Sequence, residues 1–444
     1  MFSSLLSVLL ASSALASPVK VNSFVTLPIS KRVNLTGTRT LLERDLARVT
    51  HLRDKAHARL SGQPLASRAV ISDQVFNEAT TYLAAVDVGT PPTTFALIID
   101  TGSSNTWVGA TTPFVNTATT VSTGQSVAVS YGSGDFQVRH YPPNLPELNK
   151  PQGYGAPCGI TFSLADHRAL LPGTEVLDTV TLAPGLTITN QSIGVASSSD
   201  GFEGVDGILG IGPVDLTLDT LSPDTNSAIP TVTDNLFTQG TITQNLIGIS
   251  FEPTNVDEIQ NGELTFGGTD STKFTGEIHF APVTTVAPAS EFWGITQSVR
   301  YGASTTIFNN LAGIVDTGTT LLLLPTSGFN TYTRATGAVE DATTGLLRVT
   351  NAQFNKLQSL FFTINGQTFE FTANAQLWPR ALNTAIGGRA NNIYLIVSSL
   401  GASTETGFDF VNGFVWLERF YSVFDTTNKQ IGFATTPFTN STIN

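Results

Sequence analysis

The sequence predicts an all-β protein built as two similar lobes, and three observations predict it. From residue 71 onward, short Val, Ile, Thr and Phe runs alternate with clusters of Gly, Asn, Asp and Ser. One motif occurs twice, 216 residues apart, each copy inside its own β-rich half. The chain has 444 residues, too many for one small core when a domain takes roughly 100–200. Hydrophobic residues make up 41% and charged residues only 13%, so a large core can be buried and a self-repelling disordered chain is excluded.

The first 70 residues differ from the rest. Phe2 to Ala16 is a short apolar run ending in Ala14-Leu15-Ala16, the small-x-small pattern of a signal-peptide cleavage site. It lacks a Lys or Arg at its start, and it is shorter than the ~20 residues of a membrane span. Residues 17–70 carry ten Lys/Arg against three Asp/Glu, a net of +7, while residues 71–444 carry a net of −19. A basic leader before an acidic body reads as a self-complementing prosegment, ending near residue 70. The other reading of a basic tail is nucleic-acid or membrane contact. The secretory start and the acidic body argue against it, so no nucleic-acid partner is expected.

Within the leader, residues 39–60 predict a helix, with Leu42, Leu46, Val49 and Arg53 at three- and four-residue spacing. No later run is long and apolar enough for a span, and the polar end Thr439-Asn440-Ser441-Thr442-Ile443-Asn444 carries no lipid-anchor signal. A secreted, extracellular monomer without a membrane anchor is expected. The single cysteine, Cys158, excludes an intramolecular disulfide. Asn34, Asn190 and Asn440 open glycosylation sequons.

In the body, strands are predicted at Tyr82–Val88, Leu97–Ile99, Thr179–Leu182, Leu246–Phe251, Glu263–Phe266 and Leu360–Phe371. The repeated motif is Ile98-Ile99-Asp100-Thr101-Gly102-Ser103-Ser104, echoed by Ile314-Val315-Asp316-Thr317-Gly318-Thr319-Thr320. Each copy is followed by an apolar-to-glycine turn, at Gly207-Ile208-Leu209-Gly210 and Val411-Asn412-Gly413. The domain reading is therefore signal peptide 1–16, propeptide 17–70, one lobe over 71–268 and a second over 269–444.

Histidine chemistry has little to work with. Of five histidines, only His279 lies securely in the body, on a strand-like stretch without a nucleophile motif. No His-Glu-x-x-His and no Cys/His cluster offers a metal site, so neither metal nor cofactor is expected. Carboxylates remain. A lone Asp-Thr-Gly is an ordinary turn, with Asp bonding its own backbone. Two matched copies are a stronger signal. If the lobes face each other, Asp100 and Asp316 meet, cannot both ionise, and share one proton. One then acts as base on a trapped water while the protonated partner polarises a carbonyl. Gly102 and Gly318 let the backbone approach, Ser103 and Thr319 can bond the outer oxygens, and Thr101 and Thr317 can lock the loops together.

These residues resemble the pepsin family of aspartic endopeptidases and, within it, the secreted fungal polyporopepsin-like enzymes. The matching stretches are 100–108, 204–213, 314–320 and 420–428. The resemblance covers 71–444 apart from one segment. It implies a bilobal pepsin-like β fold with pseudo-twofold lobes and a central active-site cleft. It implies an aspartic endopeptidase that hydrolyses internal bonds of protein or peptide substrates at acid pH. It also implies a flap over bound peptide: Tyr131-Gly132-Ser133-Gly134 matches the flap tip, with Asp135 beside it, and Trp107 matches the tryptophan supporting the flap tyrosine. Phe292 and Trp293 fall where the family lines or backs its cleft. A basic propeptide residue is expected on the carboxylates, with Lys31 and Arg32 as candidates.

One departure matters. After Gln137 about 35 residues, 138–172, interrupt the family pattern and hold six of the 22 prolines, Cys158, His140 and His167. Removing them joins Gly-Asp-Phe-Gln cleanly to Gly173-Thr174-Glu175. A Pro-rich insert in the return strand of a hairpin would disrupt its pairing. The segment reads as a retained intron or gene-model error; the rival reading is a genuine surface loop modifying the flap, with which the chain is alternatively a catalytically impaired peptide-binding relative. We expect the transcript, sequenced across codons 130–180, to lack those codons. A message that retains them would favour the genuine insert.

Overall fold

Strands dominate because the apolar runs alternate or bury completely. The computed structural model describes residues 24–33, 40–62, 80–131, 134–137, 174–200, 202, 204–401 and 406–443. The signal-peptide run, the propeptide end near 70, Asn34 and the 138–172 segment with Cys158, His140 and His167 lie outside the described residues. The fold is bilobal and all-β, with a 14-stranded sheet, a seven-stranded sheet and two three-stranded sheets. No helix among the described residues is long and apolar enough to cross a membrane.

The leader contributes to that architecture. Val25–Val33 (β1) alternates buried and exposed positions and is a strand of the largest sheet. It pairs antiparallel with Thr80–Val88 (β2) on one side and with Glu258–Phe266 on the other. Ile29 faces Ala84 and Gly262. A Cβ on Gly262 would lie 2.6 Å from the Ile29 side chain, so glycine makes room for this leader residue. Leu41–Ser61 (α1) follows, starting two residues inside the predicted start and ending one residue past the predicted end. It opens on a Thr40–Glu43 capping box and closes at Gly62 in the left-handed region. Its buried face is Leu41, Arg44, Asp45, Arg48, Val49, Leu52 and Ala56. The predicted stripe is therefore rotated: Leu42, Leu46 and Arg53 are only half-buried, because the surface beneath the helix takes charged as well as apolar side chains.

Two matching strand arrangements deliver the repeated motif. Thr93–Asp100 (β3) lies antiparallel to β2 and parallel to Gly207–Gly210, pairing Asp100 with Gly210. Thr305–Asp316 lies antiparallel to Gly294–Tyr301 and parallel to Val411–Gly413, pairing Asp316 with Gly413. Both strands end fully buried, which is why their sequences read as unbroken apolar runs into Asp. The two glycines are steric necessities. A Cβ on Gly210 would meet the Ser104 carbonyl carbon at 2.5 Å, and one on Gly413 would meet Leu321 O at 2.4 Å.

The predicted strands at 82–88, 97–99, 179–182, 246–251 and 263–266 all fall on observed ones, with ends differing by a few residues. The run 360–371 is instead a hairpin of Leu360–Ile364 and Gln367–Phe371. Its two-residue turn is Asn365-Gly366, both at positive φ, the turn chemistry that matches strand twist.

One buried carboxyl ties stability to pH. Glu175 accepts from the Ser192 hydroxyl at 2.5 Å, while its other oxygen has no partner among the described residues. Burial pushes it up to about 7. The folded state therefore holds this proton more tightly than the unfolded chain. The resulting stability is full below the ordinary glutamate range and is lost as pH rises toward 7. We expect the full chain to lose roughly 3 kcal/mol through Glu175 between pH 4.5 and 7. Glu175→Gln should flatten that slope in urea titrations; an unchanged slope would remove Glu175 as its source.

Candidate active site

Asp100 and Asp316 are both fully buried at the ends of their strands, and the loops after them bond to each other reciprocally. Thr101 N–H donates to Thr317 Oγ1 at 2.9 Å, and Thr317 N–H donates to Thr101 Oγ1 at 2.9 Å. The two hydroxyls donate onward, Thr101 to Val315 O at 3.2 Å and Thr317 to Ile99 O at 2.9 Å. Each threonine thus spans the pseudo-twofold axis, and the lock inferred from sequence is present in atomic detail. Ser103 Oγ donates to Asp100 Oδ2 and Thr319 Oγ1 to Asp316 Oδ2, both at 2.5 Å. Gly102 N–H reaches Asp100 Oδ1 at 2.8 Å and Gly318 N–H reaches Asp316 Oδ1 at 3.1 Å. Each carboxylate is held in plane from both sides.

The glycines let the two loops meet. A Cβ on Gly102 would lie 2.6 Å from Asp316 Oδ1, and one on Gly318 would lie 2.8 Å from Asp100 Oδ1.

A leader cation occupies the centre, and it is neither residue expected. Arg48, on α1, donates from Nη2 to Asp100 Oδ1 at 2.6 Å and to Asp316 Oδ1 at 2.9 Å, and from Nε to Asp316 Oδ2 at 2.8 Å. Lys31 instead pairs with buried Glu418 at 2.6 Å, where the Tyr82 hydroxyl also donates. Arg32 pairs with Glu258 at 3.1 Å and donates to Gly204 O. The expectation fails because β1 runs into the sheet, whereas α1 lies over the carboxylates. A signal was available: an α-helix brings Leu41, Asp45, Arg48 and Leu52 onto one face, so charged side chains fall within the buried stripe. Asp45, also missed, accepts from Thr320 N–H at 3.1 Å and Leu321 N–H at 2.7 Å.

The electrostatics of the pair are asymmetric. Burial holds Asp100 above the ordinary aspartate range, with Asp316 adding to the rise and Arg48 opposing it. Burial also raises Asp316, but Arg48, through charge and hydrogen bond, outweighs it with help from Thr319 and Gly318 and holds Asp316 below that range. Burial pushes Asp45 up to about 7 against its two backbone donors.

The remaining predicted residues divide. Trp107 is fully buried, edge-on to Phe202 at 4.8 Å. The backbone of Tyr131 pairs with Gly134 and that of Ser130 with Asp135, a hairpin where the flap is expected. Gly132, Ser133 and the side chains of Tyr131 and Asp135 lie outside the described residues. Phe292 and Trp293 are buried, and the Trp293 indole donates to Ile211 O at 3.1 Å, beside the Asp100 loop. His279 sits on an edge strand, its ring facing Phe369. Asn190 and Asn440 are exposed.

The family described as eukaryotic aspartyl protease matches residues 81–436. The chain belongs to that family. Its members include polyporopepsin of Irpex lacteus, 55% identical over 368 residues covering 83% of this chain and 98% of the relative. Pepsin A of Canis lupus familiaris is 27% identical over 359 residues, 80% of each chain. The crystal structure of an aspartic proteinase from Irpex lacteus superposes with a TM-score of 0.73 at 56% identity, covering 82% of this chain and 96% of that one. The family assignment makes this chain an aspartic-type endopeptidase, a hydrolase.

The cross-loop lock is open to test. Thr317→Val removes a buried donor and acceptor and should cost roughly 2–4 kcal/mol in urea titrations. Thr317→Ser, which keeps the hydroxyl, should recover most of it. Equal losses in both would show that packing, not hydrogen bonding, dominates there.

Proposed function

We propose that this chain is the zymogen of a secreted, acid-active endopeptidase in which Asp100 and Asp316 form the catalytic pair. The observation that carries the reading is the single Arg48 nitrogen bonded to the inner oxygens of both carboxylates. Where a guanidinium now sits, a water can bond both carboxyls once Arg48 leaves. Without that cation the pair cannot carry two charges at close range and retains one proton. One carboxylate takes a proton from the water as its oxygen attacks the peptide carbonyl carbon. The protonated partner donates to the carbonyl oxygen. The tetrahedral intermediate then collapses, a proton passes to the leaving nitrogen, and the C–N bond breaks. No covalent intermediate or cofactor takes part. Thr101, Thr317, Gly102, Gly318, Ser103 and Thr319 position the pair. Tyr131, Gly132, Ser133 and Asp135 form the flap over substrate, backed by Trp107. We expect bulky hydrophobic residues on both sides of the scissile bond, seated in apolar clefts that meet at the pair.

In this reading residues 1–16 are removed on secretion, 17–70 are the inhibitory propeptide, and 71–268 and 269–444 are the two lobes of a monomer. Asn34, Asn190 and Asn440 are its glycan sites, and 138–172 is absent from the working protein. Inhibition is steric and electrostatic together. Asp316 is held below the aspartate range by Arg48, so their attraction is full above that range and is lost as pH falls through the lowered value. Asp45 works in the opposite sense: raised to about 7, it holds the helix more firmly as pH falls. Acid release is therefore driven by the Arg48 contacts against the Asp45 contacts.

Two experiments test this. Asp100→Asn or Asp316→Asn should each lower peptide hydrolysis about 10³-fold or more, and residual activity above a tenth would dismiss the pair. Arg48→Gln should let the leader be cleaved at higher pH than in the parent chain. An unchanged activation pH would mean that Arg48 does not hold the zymogen closed.

A further inference from the structure

Arg48 is not the only cation that the leader helix carries onto the body. Lys55, about two turns further along α1, donates from Nζ to Leu216 O at 3.0 Å. Arg59, one turn beyond, donates from Nη1 to Asp215 O, and its Nη2 pairs with Glu291 Oε2 at 3.3 Å. Both Arg59 and Glu291 are largely shielded, with side chains 16% and 21% exposed.

These acceptors come from both lobes and adjoin the catalytic loops. Asp215 and Leu216 lie in the short turn Val214–Thr217. That turn follows Gly212, whose N–H donates to Ser103 O at 2.8 Å in the Asp100 loop. Glu291 lies two residues before Trp293, whose indole reaches Ile211 O. Two backbone carbonyls from one lobe and a carboxylate from the other thus converge where two cations are seated. When the leader leaves, all three acceptors lose those partners and face the surface that α1 had covered.

We propose that this acceptor cluster is a remote subsite that selects a lysine or arginine in the substrate. The inference rests on Asp100 and Asp316 as the reacting centre. The helix fixes the distance. From Arg48, the Lys55 and Arg59 positions lie roughly 10 and 16 Å along the axis. An extended peptide at about 3.3 Å per residue covers that span in three to five residues. The preferred basic residue therefore sits three to five residues from the scissile bond, on the side toward which the C-terminal half of α1 runs. Glu291 supplies the charge, and the carbonyls of Asp215 and Leu216 supply the orientation.

The test uses the working protein, the chain without residues 138–172, after acid activation. Peptides share one apolar scissile pair and carry a single Lys, moved stepwise from five residues before to five after the bond. The reference peptide has Gln at each site. At pH 5 and low salt, Lys at one remote position on one side should raise kcat/KM about fivefold over Gln. The advantage should shrink in 0.5 M salt, about the range where charges are screened beyond a few Å. Glu291→Gln should bring the Lys-to-Gln ratio toward one, and Glu291→Arg should reverse the order in favour of a Glu peptide. A scan flat within twofold would overturn the subsite while leaving the catalytic pair standing, as would a Lys preference that survives both Glu291 variants. Failure to cut the Gln peptide at all would overturn the pair and the subsite with it.

Discussion

Two buried carboxyl groups brought to one nitrogen repel each other when both are charged, and the rest of the molecule is arranged around this constraint. Two separately folded strand ends must deliver Asp100 and Asp316 to the same point, and the lobes must not drift apart. The reciprocal threonine bonds meet that demand, because each hydroxyl serves a backbone N–H in its twin loop and a backbone carbonyl below it. Glycine at 102 and 318 follows from the same closeness, and glycine at 210 and 413 from tight packing inside each lobe, since a Cβ at any of them would lie within 2.8 Å of a neighbour.

The leader helix supplies the counter-charge that the buried pair needs. Buried carboxylates without a counter-charge are costly, and Arg48 supplies the charge in bidentate form. It is carried on a helix whose face also buries Leu41, Val49, Leu52 and Ala56, so apolar burial seats it. The β1 strand adds a second anchor through Ile29 and the Lys31–Glu418 pair. The leader is thereby part of the core of the folded chain.

The fold class and the centre of the site were legible in the sequence, for a physical reason. An apolar run into Asp-Thr-Gly plus a hydroxyl is a local arrangement, and its repetition 216 residues later fixes the partner without any knowledge of the path between. The later glycine turns were legible for the same reason, and they pair with the aspartates as parallel neighbours. What failed was non-local or a matter of phase. Lys31 and Arg32 stand out as adjacent charges, yet strand pairing carries them away from the carboxylates. Arg48 looks like any solvated helix charge until the burial phase of α1 is known. The 360–371 run conceals a hairpin because Asn365-Gly366 is short and its flanks are both apolar.

The proposed chemistry rests on one shared proton between Asp100 and Asp316. The direct measurement is kcat/KM of the activated enzyme against a single peptide from pH 2 to pH 8. A shared proton requires a maximum at acid pH with a fall on both sides, the two limbs belonging to the pair and not to either residue. Activity that rose steadily to pH 8 would contradict it.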